Sequence, residues 1–520
     1  MSTMDNDVLC TAKQDPVNIS VYGNPVLDVI VDVSNTSRHL AERDAVQKVA
    51  TIHSSGDLEF QPNTYLGFFF QGKPVVWGPF NLNNGQKVYS VGKKFPVFIS
   101  MGSEAENLLK SCTVAILPGP VQRIGGGGPN VLFGFYDVFA KLRVELLATV
   151  EKPMPGGRAK LDVFVKQLTK KIGLYTPIPI YDWPGVNLCI EGLGPKSDRT
   201  IFTAMLPPPQ VSPSALPMPS GRAIMVNTVY APAVALDALA YACENERMGI
   251  LALTKRLCSK DTVDKKVFEE VLANHPLMRR EAGIEYASVH DFVIRYVLPH
   301  GGCICIMNED EIQHLTGKSV CIERDSIFYP TLGRVVEVLR EVRNLQMGKK
   351  DRFYVTLGAD GSVVLDEHNE LIYCGIVNDP NRQQQNKTAI GDTFATFILA
   401  LETIGMYNRQ YNIPAQDVIK AAAAGADSGV YDGFGNLTVD TVNYFLREKK
   451  RRLVGLGSLD SFPSKDWVDK PIAHLREVDW EPLISVNHAG EGYVPTTLQK
   501  VIGQAFLKLP VPEKEAGLGR

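Results

Sequence analysis

The stretch Asn386-Lys387-Thr388-Ala389-Ile390-Gly391-Asp392-Thr393-Phe394 holds the residues of this chain best suited to chemistry. A polar loop ends in Gly391-Asp392, and Phe394, Phe397, Ile398, Leu401 and Ile404 then recur at helical spacing. The spacing predicts an amphipathic helix with Asp392 near its N-terminus. Free backbone N–H groups and the positive end of the helix dipole attract phosphate at such a position. A carboxylate there could take the proton of a hydroxyl that attacks a phosphoryl group, while the amides hold the developing charge. From this segment alone, a plain N-cap is the simpler explanation of the same aspartate.

Four further features stand upstream in a telling order. Asp28 follows Gly23-Asn24-Pro25. Gly125-Gly126-Gly127-Gly128-Pro129-Asn130 opens a second helical pattern. Asn308-Glu309-Asp310-Glu311 follows an apolar run, and Thr356-Leu357-Gly358-Ala359-Asp360-Gly361 links two strand-like runs. Each has a structural explanation. Asp28 fits the solvated face of a half-buried strand, and the four glycines fit a flexible turn. Asn308 with Glu311 fits a capping box, and Gly358 with Gly361 fits a hairpin turn.

The elements that must position these residues can be read from the spacing of apolar side chains. Val17 to Val33 reads as a strand broken at Gly23-Asn24-Pro25, with Leu27, Val29, Val31 and Val33 alternating with Asp28 and Asp32. Val131, Leu132, Phe135, Val138, Phe139 and Leu142 predict a helix after the glycines, with Pro129 at its first position. Strands are expected at 223–229, 303–307, 353–357 and 362–365, and helices at 233–242, 331–345 and 417–430. That alternation implies a parallel α/β sheet with helices on both faces. A Pro/Ser-rich loop spans 206–220. Residues 35–112 read as strands and loops of a lid or inserted subdomain. After about Asn436 the character changes to a basic run, Arg447 to Arg452, and a tail holding Trp467 and Trp480.

Composition bounds the function classes. The chain has 520 residues, 45% hydrophobic and 21% charged, with a formal net charge of -3. That length allows several domains, and the charge balance gives no footprint for nucleic acid. No apolar run reaches the ~18 residues of a membrane span. Met1 to Gln14 is polar and lacks the apolar core of a signal peptide. The nine Cys have no zinc spacing, and Cys303-x-Cys305 reads as buried strand, so a reducing cytoplasm is expected. Thr316-Gly317-Lys318-Ser319 imitates the end of a P-loop, but Ile312 stands where the P-loop glycine belongs, so Gly317 reads as a helix C-cap. The histidines form no metal-ligand spacing, and no Gly-x-Ser-x-Gly elbow is present.

The ordered set of motifs resembles the PfkB or ribokinase-like family of carbohydrate and nucleoside kinases over roughly residues 17 to 440. Val21 to Asp28 is similar to that family's first strand, and its Gly-Asn-Pro-x-Leu-Asp to that of adenosine kinases. Gly125 to Asn130 resembles its Gly-Gly substrate motif, Asn308 to Glu311 its Asn-x-x-Glu motif, and Thr356 to Gly361 its Thr-x-Gly-x-x-Gly nucleotide loop. Thr388 to Asp392 stands where the family carries Gly-Ala-Gly-Asp.

The resemblance implies a three-layer α/β/α ribokinase-like sandwich over residues 15–440, a small β lid drawn largely from 35–112, and a C-terminal extension over 441–520. It implies an ATP-dependent, Mg²⁺-requiring kinase acting on a hydroxyl of a sugar, sugar derivative or nucleoside. Asp392 would be the general base, and the amides of Ala389, Ile390, Gly391 and Asp392 the anion hole. Asp28, Gly126 and Asn130 would hold substrate hydroxyls. Asn308 and Glu311 would orient Mg²⁺, which keeps several waters. Thr356, Gly358, Gly361 and Asn436 would line the nucleotide site. A homodimer through the lid, with no nucleic-acid or membrane partner, is the corresponding expectation.

The chain departs from the family pattern at Asn386-Lys387, where Asp-Thr is usual, and at Ala389 and Ile390. A non-glycine residue held at positive φ at position 389 would cost about 1 kcal/mol or more. The departures motivate a catalytically silent binding or scaffold protein as one alternative. An ADP-dependent sugar kinase is the other.

Overall fold

Strands that are apolar at nearly every position can be satisfied only by burial on both faces. Ala223–Asn227, Cys303–Asn308 and Phe353–Thr356 are such strands. The computed structural model describes residues 18–70, 72–80, 88–139, 142–151, 173–181, 185–194, 198–204, 216–227, 231–245, 248–252, 264–275, 288–324, 327–382, 390–407, 413–432, 437–447, 451–460 and 471–472. The expectations for Thr388, Ala389, Asn436, Trp467, Trp480 and most of the 206–220 loop therefore lie outside the described residues.

The three strands belong to a ten-stranded sheet. Its order is Gly173–Tyr181, Arg143–Glu151, Asn18–Gly23, Ala223–Asn227, Met248–Ala252, Cys303–Asn308, Phe353–Thr356, Ser362–Leu365, Glu370–Cys374 and Leu453–Ser458. Neighbours are parallel as far as Phe353–Thr356 and antiparallel beyond it. Side chains alternate between two cores. Ile224 and Val226 pack with the helices Pro232–Glu244 and Leu332–Leu345. Ala223 and Met225 pack on the opposite face with Gly127–Val138, Ile390–Tyr407 and Ala415–Asp432. The result is the expected three-layer α/β/α arrangement. Among the described residues no helix is long and apolar enough to cross a membrane.

The chain leaves this sheet at Asn24-Pro25 and enters a second one at once. That five-stranded sheet has the order Val121–Gly125, Val26–Asp32, Gly185–Leu193, Asp198–Ala204, Lys94–Val97. Its two faces follow from the period of two along a strand. Leu27, Val29, Val31, Val186, Leu188, Ile190 and Phe202 form one apolar face, packed on Phe60, Trp77 and Phe80. Asp28, Arg123, Asn187 and Thr203 share a row on the other face, with Lys94 one row further.

Two expected boundaries need correction. Of the described residues in 35–112, only Lys94–Val97 join this sheet; the other strands there belong to sheets of three and four, with Phe60, Trp77 and Phe80 packed behind it. The other lid strands come from segments far apart in the chain, which no local pattern can join. The boundary at 440 falls inside the helix Val439–Arg447, and Leu453–Ser458 completes the central sheet. Arg451, from the basic run, is buried there: its Nη1 donates to Gly375 O at 2.9 Å, and it pairs with Asp427.

Candidate active site

Ligand sites in open parallel sheets form beyond the carboxyl ends of the strands, where the strand order reverses. Asn18–Gly23 lies at such a point, between Arg143–Glu151 and Ala223–Asn227. Asn24, Asn227, Asn308 and Thr356 all stand at carboxyl ends of the parallel strands. The helices carrying Asn130 and Asp392 begin at the same edge, and the charged face of the lid sheet carries Asp28.

Asp392 lies in the first turn of Ile390–Tyr407 rather than at a cap position. Its Oδ2 accepts from Asn130 Nδ2 at 2.6 Å, and its Oδ1 accepts from Asn227 Nδ2 at 3.3 Å. Two helices are locked together behind it. Thr396 Oγ1, which donates to Asp392 O of its own helix at 2.8 Å, lies 3.4 Å from Val131 O of the Asn130 helix, and any Cβ at Gly134 would come within 2.9 Å of Thr396 Cγ2. Burial pushes the Asp392 carboxyl above the usual carboxylate range, against the opposing pull of the Asn130 amide, Lys94, the Asn227 amide and Arg199. A carboxylate so raised is a better base near neutral pH. Gly391, beside it, has no described atom within 4 Å of where a Cβ would stand. Close packing therefore does not demand glycine there.

Asp28 is buried, and its Oδ1 accepts from Asn187 Nδ2 at 2.9 Å. Desolvation raises its pKa; the Asn187 hydrogen bond and the charges of Arg123, Arg199 and Lys94 oppose the rise. The glycine run exists for this neighbourhood. A Cβ on Gly125 would lie 1.9 Å from Asp28 Oδ2, and Gly126, at φ +95°, would place one 2.1 Å from Asn24 O. Two buried polar atoms here have no hydrogen-bond partner: Asn24 Nδ2 and Asn187 Oδ1. An unsatisfied donor and an unsatisfied acceptor beside a carboxylate suit hydroxyl groups, which both donate and accept.

On the other side of Asp392, Asn308 and Glu311 form a complete capping box. Asn308 Oδ1 accepts from Glu311 N at 2.9 Å, and Glu311 Oε2 accepts from Asn308 N at 2.9 Å. Burial pushes the Glu311 carboxyl up to about 7; the Asn308 backbone hydrogen bond and Lys94 oppose this, while Asp392 and Asp310 add to it. Glu309 is also pushed up to about 7, first by burial, with Asp310 and Asp360 adding to it. Hard carboxylate oxygens that share too little positive charge fit a Mg²⁺ ion bound largely through water. Among the described residues no three His, Cys, Asp or Glu side chains close a metal cage.

The Thr356–Gly361 turn abuts this acidic corner. Thr356 Oγ1 donates weakly to Met307 O at 3.5 Å. Gly358 has φ +55° and only Glu309 Oε1, at 3.9 Å, near its missing Cβ, whereas a Cβ at Gly361 would meet Cys374 O at 2.5 Å. Packing thus requires glycine at 361 and leaves 358 open.

The structure brings Asp28, Gly126, Asn130, Asn308, Glu311, Thr356, Gly358, Gly361, Ile390, Gly391 and Asp392 to one edge of the fold. Sequence reasoning missed Asn227, Asn24, Asn187, Arg123, Arg199, Lys94 and Glu309. Asn227 carried a readable signal: like Asn308, it is the first polar residue after an all-apolar strand. Asn187, Arg123 and Arg199 carried none, because only the register of the lid sheet sets them near Asp28.

No protein-family model matches the chain, and no curated protein matches it. Similar solved structures include a probable sugar kinase protein from Rhizobium etli CFN 42, 14% identical over 83% of this chain and 99% of that one, TM-score 0.47. A nucleoside kinase of Methanocaldococcus jannaschii, described as an archaeal member of the ribokinase family, is 14% identical over 83% of this chain and 98% of its own, TM-score 0.45. A ribokinase from Cryptococcus neoformans var. grubii serotype A, in complex with ADP, is 13% identical over 82% of this chain and 99% of its own, TM-score 0.45.

Proposed function

We propose that this protein is a ribokinase-type phosphotransferase that moves the γ-phosphoryl group of ATP to a hydroxyl of a small acceptor of sugar or nucleoside class, with Asp392 as general base. The observation that carries this reading is the seating of the Asp392 carboxylate. It lies in the first turn of a long helix, held by the Asn130 and Asn227 amides. Unsatisfied polar atoms of Asn24 and Asn187 lie to one side and the Glu309–Glu311 corner to the other.

In this mechanism Asp28, Asn24 and Asn187 orient the acceptor's hydroxyls. The Asn130 and Asn227 amides fix the rotamer of Asp392, and the free Asp392 lone pairs take the proton of the attacking hydroxyl. The N–H groups of Ile390, Gly391 and Asp392 hold the charge that develops on the transferred group; Ala389 would extend that set. The Thr356–Gly361 turn and Asn436 receive the nucleotide. Mg²⁺, when bound, neutralises phosphate charge; Glu311, Glu309 and Asn308 would hold it through water. The lid sheet covers the acceptor and keeps water from competing for the phosphoryl group.

The test is ADP release from Mg-ATP across sugars, sugar phosphates and nucleosides, with Asp392→Asn as the blank. Removing a general base lowers turnover by about 10²–10⁴-fold, and nucleotide binding should be retained. A substrate-dependent signal that survives in Asp392→Asn would remove Asp392 from the role of base. Bound ATP with no acceptor-dependent turnover anywhere would favour a silent binding protein, and turnover with ADP as donor would identify the alternative phosphoryl source.

A further inference from the structure

The lid sheet carries three cations, Arg123, Arg199 and Lys94, on the face that holds Asp28, with Asp32 and Glu191 further along the same face. Arg123 lies directly across from Asp28 on the neighbouring antiparallel strand, and Asn187 lies across from Asp28 on the other side. Cross-strand neighbours of this kind have Cβ atoms about 4.5–5.5 Å apart. Asp28 Oδ1 accepts from Asn187 Nδ2, and no ion pair joins Arg123 to a carboxylate among the described residues. Arg199 and Lys94 carry the same face onward: Ile201 pairs with Lys94, and Arg199 stands two residues before Ile201 on the same strand. Arg199 Nη1 is buried and has no hydrogen-bond partner.

A buried guanidinium N–H left without an acceptor is costly, more so than a neutral donor. A fold tolerates it where a ligand supplies the acceptor, and a planar fork of N–H groups suits the paired oxygens of a phosphate or carboxylate. Arg123, Arg199 and Lys94 all oppose the rise of the Asp28 pKa, and Arg199 and Lys94 also that of Asp392, so this face of the lid fronts the candidate site.

We infer that the acceptor is an anionic small molecule, a polyhydroxy compound bearing a phosphate or carboxylate, whose anionic group is held by Arg199 and Arg123 of the lid sheet. The inference rests on reading this cleft as the acceptor site of a phosphotransferase. Binding can be measured without turnover, so the two ideas fail separately.

The experiment is calorimetric binding to the full-length protein, using matched probes: ribose 5-phosphate against ribose, gluconate against glucose, and inorganic phosphate alone. The anionic member of at least one pair should bind ten-fold or more tightly than its neutral partner. Arg199→Met and Arg123→Met should each remove most of that difference, while affinity for a non-hydrolysable ATP analogue stays unchanged. Arg199→Lys keeps the charge without the fork and should recover only part of it. The pair that responds tells phosphate from carboxylate, and competition by inorganic phosphate alone would show that the anionic group is recognised apart from its carbon frame. Equal binding of neutral and anionic probes would overturn the inference. So would a loss of ATP-analogue affinity in Arg199→Met with acceptor binding intact, since the arginine would then serve the nucleotide. Tight anionic binding with no phosphoryl transfer would leave the inference standing and refute the kinase reading.

Discussion

A methyl group added at Gly125 would sit 1.9 Å from Asp28 Oδ2, whereas one added at Gly391 meets no described atom within 4 Å. The two glycines are therefore present for different reasons, and alanine separates them. Gly125→Ala should displace the Asp28 carboxylate, lowering the melting temperature and raising the acceptor KM. Gly391→Ala should leave stability the same or improve it by about 0.5–1 kcal/mol, because alanine is the better helix former. It should still cut kcat by crowding the helix N-terminus where charge develops. Wild-type kcat in Gly391→Ala, at unchanged stability, would show that this N-terminus does not hold the transferred group. The acidic corner makes a second residue-level prediction. Glu309 and Glu311 both titrate at about 7 in the fold against an ordinary value of 4.5. The folded state then binds more protons than the unfolded chain between those values, so stability falls as pH rises through that window. Glu311→Gln should flatten the fall. Added Mg²⁺ should raise the melting temperature more at pH 8 than at pH 6, because the ion competes with the proton. A Mg²⁺ response independent of pH and unchanged in Glu311→Gln would leave Glu311 with its capping role alone.

At the level of elements, local signals were legible wherever one segment decides its own structure. The capping box at Asn308 and Glu311 forms, and Gly317 adopts the left-handed C-cap at φ 75°. The helix expected after the four glycines begins inside the run, at Gly127–Val138, so Pro129 takes its third position rather than its first; the Asp392 helix runs Ile390–Tyr407. The capping and functional readings of Asn308 and Glu311 turn out not to exclude each other. The cap is what turns the pair toward the strand's carboxyl end, and Glu311 Oε1 is not used by it. His275 carries a contact that spacing could not foretell, because its partners lie on another helix. It caps Lys265–Asn274 and reaches Asp237 at 3.0 Å and Glu244 at 3.1 Å on Pro232–Glu244. Burial disfavours its charged form, but the two carboxylates outweigh burial and raise its pKa above 6.5. A raised histidine pKa stabilises the fold fully below its unfolded value, and that contribution is lost as pH rises through the folded value. The melting temperature should therefore drop on the alkaline side of pH 6.5 in the wild type, and His275→Gln should remove this component. An identical pH profile in the variant would mean that the two helices are held by packing alone.

For the whole molecule, what the sequence left hidden was long-range register. The alternation of apolar runs and helical patterns gives the central sandwich, since each buried strand announces itself by its own composition. The lid sheet gathers Val26–Asp32, Lys94–Val97, Val121–Gly125, Gly185–Leu193 and Asp198–Ala204. Nothing in any one of those segments shows that Arg123, Asp28 and Asn187 will share a row. The same limit hid the end of the domain. A polar, basic stretch from Arg447 to Arg452 looked like the start of an appendage, yet it leads into the tenth strand of the central sheet. Arg451 is buried against Asp427, whose Oδ2 also accepts from Val377 N at 3.0 Å. Removing one partner of a buried ion pair costs about 3–5 kcal/mol, a large part of the roughly 5–15 kcal/mol that keeps a protein folded. Arg451→Met should therefore lower the melting temperature sharply while the full-length chain still folds. A chain ending at Asp440 loses Arg451, most of the helix Val439–Arg447 and the strand Leu453–Ser458 together, baring Glu370–Cys374 as a new sheet edge open to aggregation. It should be recovered insoluble or without a cooperative melt. A soluble 1–440 chain with a wild-type melting temperature would make that last strand an ornament of the fold rather than part of its core.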